Sequence, residues 1–150
     1  MTFATVSPGV DHTCGVTPEG AVYCWGTVGR GFGWGPTPTE VSPDLKLVEL
    51  SSGGAFHTCG ISEDGRAFCW GFNNMGQLGN VKRAVSLVPK PVSGDLRFSA
   101  INSGSLAHTC GVTVEGVAYC WGNNQWGQLG DGSDRGNSFT PVRVADPPGQ

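Results

Sequence analysis

The chain has 150 residues, with 12 Asp and Glu against 9 Lys and Arg, a net charge of −3. That balance argues against a broad nucleic-acid surface, which is normally basic, and no run of about 18 apolar residues offers a membrane span. Gly at 25, Pro at 10, 14% charged residues and no sustained helical period point to an all-β fold of short strands and tight turns.

In chain order, Phe3-Ala-Thr-Val6 reads as a strand, without the basic start or apolar stretch of a signal peptide. Gly9 and a short loop lead to His12-Thr-Cys14-Gly-Val, then Pro18-Glu-Gly20, then Val22-Tyr-Cys24-Trp25-Gly. The segment from Thr27 to Asp44, which holds Phe32 and Trp34, is glycine-rich and reads as a loop. A second copy follows: the strand Leu47-Val-Glu-Leu50, Gly53, His57-Thr-Cys59-Gly-Ile, Glu63-Asp-Gly65, and Ala67-Phe-Cys69-Trp70-Gly. It continues through Asn73-Asn-Met-Gly-Gln-Leu-Gly79 to the Pro-punctuated segment Val88–Val92. The third copy runs Phe98-Ser-Ala-Ile101, Gly104, His108-Thr-Cys110-Gly-Val, Val114-Glu-Gly116 and Val117-Ala-Tyr-Cys120-Trp121-Gly. It then passes through Asn123-Asn-Gln-Trp126-Gly-Gln-Leu-Gly130 to Thr140–Val144. A period of this size, 45 and then 51 residues between the first cysteines, signals a repeat architecture.

Each His-to-Trp stretch has the pattern of a β-hairpin. A three-residue loop ending in Gly suits a type I turn followed by positive φ. That loop sets the register, with Glu19, Asp64 and Glu115 each midway between two cysteines. Cys14 then faces Cys24, Cys59 faces Cys69 and Cys110 faces Cys120, at closely spaced positions about 4.5 Å apart that a disulfide tolerates. Zinc is the sharper alternative, because His12, His57 and His108 share a strand face with the cysteines. A structural site needs a fourth ligand that no copy supplies; free buried thiols are the remaining alternative. Disulfides are expected, and with them an oxidising compartment. The missing leader conflicts with that, and a fragment or processed piece of a longer protein reconciles the two.

These motifs resemble the regulator of chromosome condensation repeat family: Gly, a short gap, His, an alternating strand, a Gly turn, aromatic-x-Trp-Gly and Asn-x-x-Gly-Gln-Leu-Gly. The resemblance covers Phe3 to Val144 and is weakest after Gly26. It implies four-stranded propeller blades, here three (approximately 3–46, 47–97 and 98–150) forming one partial propeller, where the family usually closes with seven. The paired-cysteine form looks like that of bacterial, often exported or surface-associated members, which implies an extracellular or cell-surface location.

No catalytic, cofactor or metal site is expected. The His residues recur at one slot, which suits anchoring of nearby backbone better than catalysis. Trp25, Trp70 and Trp121 recur likewise and suit packing between blades. Asp131-Gly-Ser-Asp134 lacks the spaced acids of a calcium loop, and Gly29–Gly33 lacks the Lys-Ser/Thr of a phosphate loop. Phe32, Trp34 and Trp126 fall outside the repeated slots and are candidate interaction residues, with packing the equal alternative. Specificity belongs to the segments where copies differ, 27–44, 80–86 and 131–139. The expected function is a non-enzymatic scaffold for a protein partner, with self-association through the open blade faces. The alternative is a regulator of an enzyme, such as an exchange factor for a small GTPase or a secreted inhibitor.

Overall fold

The computed structural model describes residues 1–134 and 136–149. Arg135, in the predicted 131–139 segment, and Gln150, at the end of the tail, lie outside the described residues. Twelve strands form three four-stranded antiparallel sheets. The first holds β1 (Thr5–Pro8), β2 (His12–Val16), β3 (Val22–Gly29) and β4 (Phe32–Glu40). The second holds β5 (Leu47–Ser52), β6 (His57–Ser62), β7 (Ala67–Gly71) and β8 (Ser86–Pro91). The third holds β9 (Phe98–Ser103), β10 (His108–Thr113), β11 (Ala118–Gly122) and β12 (Ser138–Arg143). Strands are ordered as they occur in the chain, so every connection within a sheet is a meander.

The central hairpins have the expected register. Cys14 pairs with Cys24, Cys59 with Cys69 and Cys110 with Cys120. All three pairs are disulfides, with Cα atoms 4.1 Å apart. The turn glycines Gly20, Gly65 and Gly116 sit at φ 83–85°, as the loop requires.

Two expectations change. Phe3 precedes the first strand instead of opening it, and its ring lies over Gly15 and tilts against Trp25. More substantially, residues 27–44 are largely a hairpin. Arg30 (φ 51°) and Gly31 (φ 80°) both take positive φ, the demand of a two-residue I′ turn. β3 therefore runs on to Gly29 and β4 returns from Phe32. The glycines that made this stretch look like a loop allow its close approach. A Cβ on Gly33 would lie 2.7 Å from Cα of Thr27 and closer still to the Gly26 carbonyl.

The cores lie between sheets. Cys14, Val16, Val22 and Cys24 of the first pack against Leu47, Phe68 and Trp70 of the second. Cys59, Ile61, Ala67 and Cys69 of the second pack against Phe98, Ile101 and Trp121 of the third. Each sheet thus has a trailing face, bearing His, the cystine and a β-branched residue, and a leading face, bearing Thr and Trp. Two-residue alternation along one strand produces both.

Candidate interaction surface and the junctions that position it

Two of the three repeated His residues reach across a junction to the next sheet. At the first junction, His12 Nε2 meets Thr58 Oγ1 at 2.8 Å; at the second, His57 Nε2 meets Thr109 Oγ1 at 2.9 Å. The Nε2 partner at each junction is therefore a hydroxyl on the next sheet, and His57 also has the Ala55 and His108 backbone beside it. The one Thr109 hydroxyl proton goes to the Gln77 carbonyl, so His57 must donate through Nε2–H. At the first junction Ser52 Oγ donates to the Ser7 carbonyl, Thr58 donates to Ser52, and His12 donates to Thr58. Both imidazoles carry the same proton.

The glycine before each His makes room for the ring. A Cβ on Gly53 would stand 2.8 Å from Cε1 of His57, and Gly9 and Gly104 abut their own His rings more closely still. Burial holds the rings neutral. His12 is lowered to about 4 by burial, partly opposed by the Asp11 carboxylate. His57 is lowered to about 3 by burial and by the neighbouring imidazoles His12 and His108. His108, with no sheet beyond it, is lowered by burial and is only half-buried. The cysteines beside these rings are bonded to each other, so they offer no thiolate to a metal.

The tryptophans point the other way. Trp121 Nε1 donates to the Gln77 carbonyl at 2.9 Å and Trp70 Nε1 to Cys24 Sγ at 3.3 Å; both side chains are fully buried on the preceding sheet. Trp25 has no preceding sheet and stays half-buried against Phe3. Trp34 is half-buried too. Its Nε1 donates to the Leu87 carbonyl of the second sheet at 3.1 Å, and its ring tilts against His12. Of the two roles expected for it, interaction anchor or packing, these contacts favour packing, because the Arg30–Gly31 turn brings it back onto its neighbour.

Between the second and third sheets an apolar groove opens to solvent, with a volume of about 340 Å³. Phe56, Phe72 and Met75 line one side and Leu106 and Ala107 the other. Phe56 and Ala107 occupy the same slot, before the His, and both hold positive φ (61° and 59°). For Phe56 that is a strained conformation, which places its ring on the groove wall. Leu106 is largely exposed, and the Arg30 guanidinium stands 5.8 Å over the Phe72 ring, extending the patch to the first sheet. Phe56 and Leu106 lie in the short loops that lead into His57 and His108, and the signal for them is a large apolar residue one or two places before the His in a turn otherwise made of Gly, Ser and Ala.

Profiles described as the regulator of chromosome condensation (RCC1) repeat match residues 3–31 and 48–77, and, in a second form, 64–112 and 115–150. The chain belongs to the RCC1-repeat family. It is 30% identical to the ultraviolet-B receptor UVR8 of Arabidopsis thaliana over 97% of this chain and 34% of UVR8. The fold is similar to that of Prp20p of Saccharomyces cerevisiae, with a TM-score of 0.80 and 19% identity over 96% of this chain and 38% of Prp20p. It is also similar to human WBSCR16, at 0.74 and 24% over 97% and 40%. The three sheets are thus blades of a partial propeller, and the chain spans little more than a third of the length of these relatives.

Proposed function

We propose that this RCC1-repeat segment is a non-enzymatic scaffold that binds a protein partner, as part of an exported or cell-surface protein. The observation that carries it is the groove between blades two and three. Its polar framework is repeated and committed to the junction, whereas its apolar lining, Phe56, Phe72, Met75 and Leu106, differs from copy to copy. A solvent-open trough with aromatic walls suits apolar side chains from a partner better than a polar metabolite. Prp20p is described by its binding to Gsp1p and histones, and a second yeast structure shows it bound by Kap60. What passes to this chain is the use of a propeller as a protein-binding platform. The oxidised cysteine pairs support the exported location.

The test places a photo-crosslinking residue at Ser105, beside the groove, in protein expressed in its source cells. One discrete protein adduct is expected, abolished by Leu106→Asp with Phe72→Ser. The same adduct in that variant, or no protein adduct, overturns the reading. Acid-quenched alkylation of the same cells should find all six cysteines blocked. Six alkylated thiols would remove the exported location.

A further inference from the structure

The groove between blades two and three is apolar on its walls and cationic at its rim. No carboxylate lines it. The Arg30 guanidinium approaches from blade one, 5.8 Å from the centre of the Phe72 ring. The Arg83 guanidinium stands 4.5 Å over Phe139, on the outer strand of blade three. That ring lies beside Met75 of the groove wall, since a Cβ on Gly76 would be 2.8 Å from it. Lys82 precedes Arg83, and its backbone is fixed at two points. Its N–H donates to Asn80 Oδ1, and its carbonyl accepts from the amide of the buried Asn73. All three cations are exposed, and both aromatic rings beneath the guanidiniums are half-buried.

The protein's own acids do not engage these cations. Among the described residues, ion pairs join Arg66 to Asp64, Arg97 to Asp95 and Arg143 to Asp146; none takes Arg30, Lys82 or Arg83. Asp11, Asp131 and Asp134 stand at the groove end of blades one and three, outside the groove walls. Asp131 accepts from both the N–H and the hydroxyl of Ser133. The turns at the opposite end hold Glu19, Glu63, Asp64, Asp95 and Glu115. A chain of net charge −3 thus gathers positive charge around its apolar groove.

That combination selects an occupant. Walls of Phe56, Met75 and Leu106 take an apolar side chain, and the cations attract carboxylates on either side of it. A volume of about 340 Å³ is at the lower end of ligand-sized clefts, so it holds an anchor side chain and not a folded element. A polynucleotide matches less well, because its binding surfaces are broadly basic and this chain is acidic. We infer that the groove partner is a protein segment in which a large apolar side chain is flanked by aspartates or glutamates. The inference rests on the scaffold reading above and adds to it the chemistry of the partner. The apolar side chain enters between Phe56, Met75 and Leu106. Its flanking carboxylates meet Arg30 on one side and Lys82 with Arg83 on the other. Phe32 and Trp126, the other aromatic candidates, are exposed and line no part of this groove.

Fluorescence anisotropy of the oxidised protein is the test. Labelled peptides share a Phe-Leu centre with flanks of glutamate or of lysine; another has glutamate flanks around Ser-Ser, and the last probe is single-stranded oligothymidylate. The glutamate-flanked Phe-Leu probe should bind about tenfold more tightly than its lysine counterpart at low salt. That gap should close in about 1 M salt, where charges are screened within about 3 Å. Replacing Phe-Leu by Ser-Ser should weaken binding about tenfold. Arg30→Asp with Arg83→Glu should reverse the order of the glutamate and lysine probes; aspartate tolerates the positive φ at residue 30. Lys46→Glu with Lys90→Glu makes the same change of net charge toward the other ends of their sheets, and should leave the order as it is. Equal binding of the two flanks overturns the inference, as does no peptide binding up to millimolar concentration or tighter binding of oligothymidylate. The Ser105 adduct tells this failure from that of the scaffold reading. An adduct that persists in the Arg30→Asp, Arg83→Glu protein keeps the scaffold and removes the acidic partner, whereas no adduct removes both.

Discussion

The two internal junctions join the same kinds of face by different means. At the second, the Asn73–Gly79 loop brings the Gln77 carbonyl between blades, where it accepts from both Thr109 and Trp121. Blade one has no such loop. There Thr58 turns to Ser52, and the Trp70 indole settles for Cys24 sulfur, a weak acceptor. A second exchange occurs at the rim. Val81 N–H donates to the Phe139 carbonyl at the second junction, and Trp34 Nε1 donates to the equivalent Leu87 carbonyl at the first. The lesson is that a junction fixes which groups must be satisfied and leaves open which residue satisfies them.

Acid should strain this comparison most. The folded pKa values of His12 and His57 lie below the ordinary 6.5 of the unfolded chain. Below about pH 6.5 the unfolded state takes up protons that the folded state refuses, so stability falls as pH falls. At pH 4.5 the two together should cost about 5 kcal/mol relative to pH 7, measured by denaturant titration. The junctions should then separate below about pH 4, where His12 takes up its proton before His57. His12→Gln and His57→Gln profiles that are parallel down to pH 3 would deny that difference.

Removing a cystine comes next. Cys59→Ala with Cys69→Ala should cost about 3 kcal/mol on the loop-entropy model. Cys14→Ala with Cys24→Ala should cost up to about 1 kcal/mol more, because it also strips the Trp70 indole of its acceptor. Equal losses would mean that the sulfur contact contributes nothing.

A finer probe keeps an aromatic ring and deletes the indole N–H. Trp121→Phe should be worse than Trp70→Phe by about 1 kcal/mol, since a carbonyl partner is lost in one case and a sulfur in the other. Thermal melts of the pair decide it, and the reverse order would invert our ranking of the junctions. Smallest is Trp34→Phe, about 0.5–1 kcal/mol, because the Leu87 carbonyl lies near the rim and can turn to water. A larger loss would assign Trp34 a core role.

Hairpin chemistry was legible because it is local. Glycine at the third turn position places Cys110 opposite Cys120 with no information from elsewhere in the chain. Trp34 and the histidines were harder to read because their partners, Leu87, Thr58 and Thr109, lie 46 to 53 residues away and their distances are set by how blades stack. β4 was hidden by its own composition. Gly33 and Gly35 are poor strand residues by propensity, yet only glycine lets this strand lie so close over Thr27. The correspondence of Trp126 with Met75 was legible, because each stands five residues after the Trp of Trp-Gly and directly before Gly-Gln-Leu-Gly.

The cystines also set how this chain would behave under a pulling force. Each closes a span of 10 residues inside one hairpin, and none bridges two blades. Tension on the ends would therefore part the blades at their non-covalent junctions, with no covalent bond broken. Each blade would then withhold about 35 Å of contour from extension, the length of its locked hairpin. Single-molecule stretching should show that shortfall per blade in oxidised protein, and reductant should restore it one hairpin at a time.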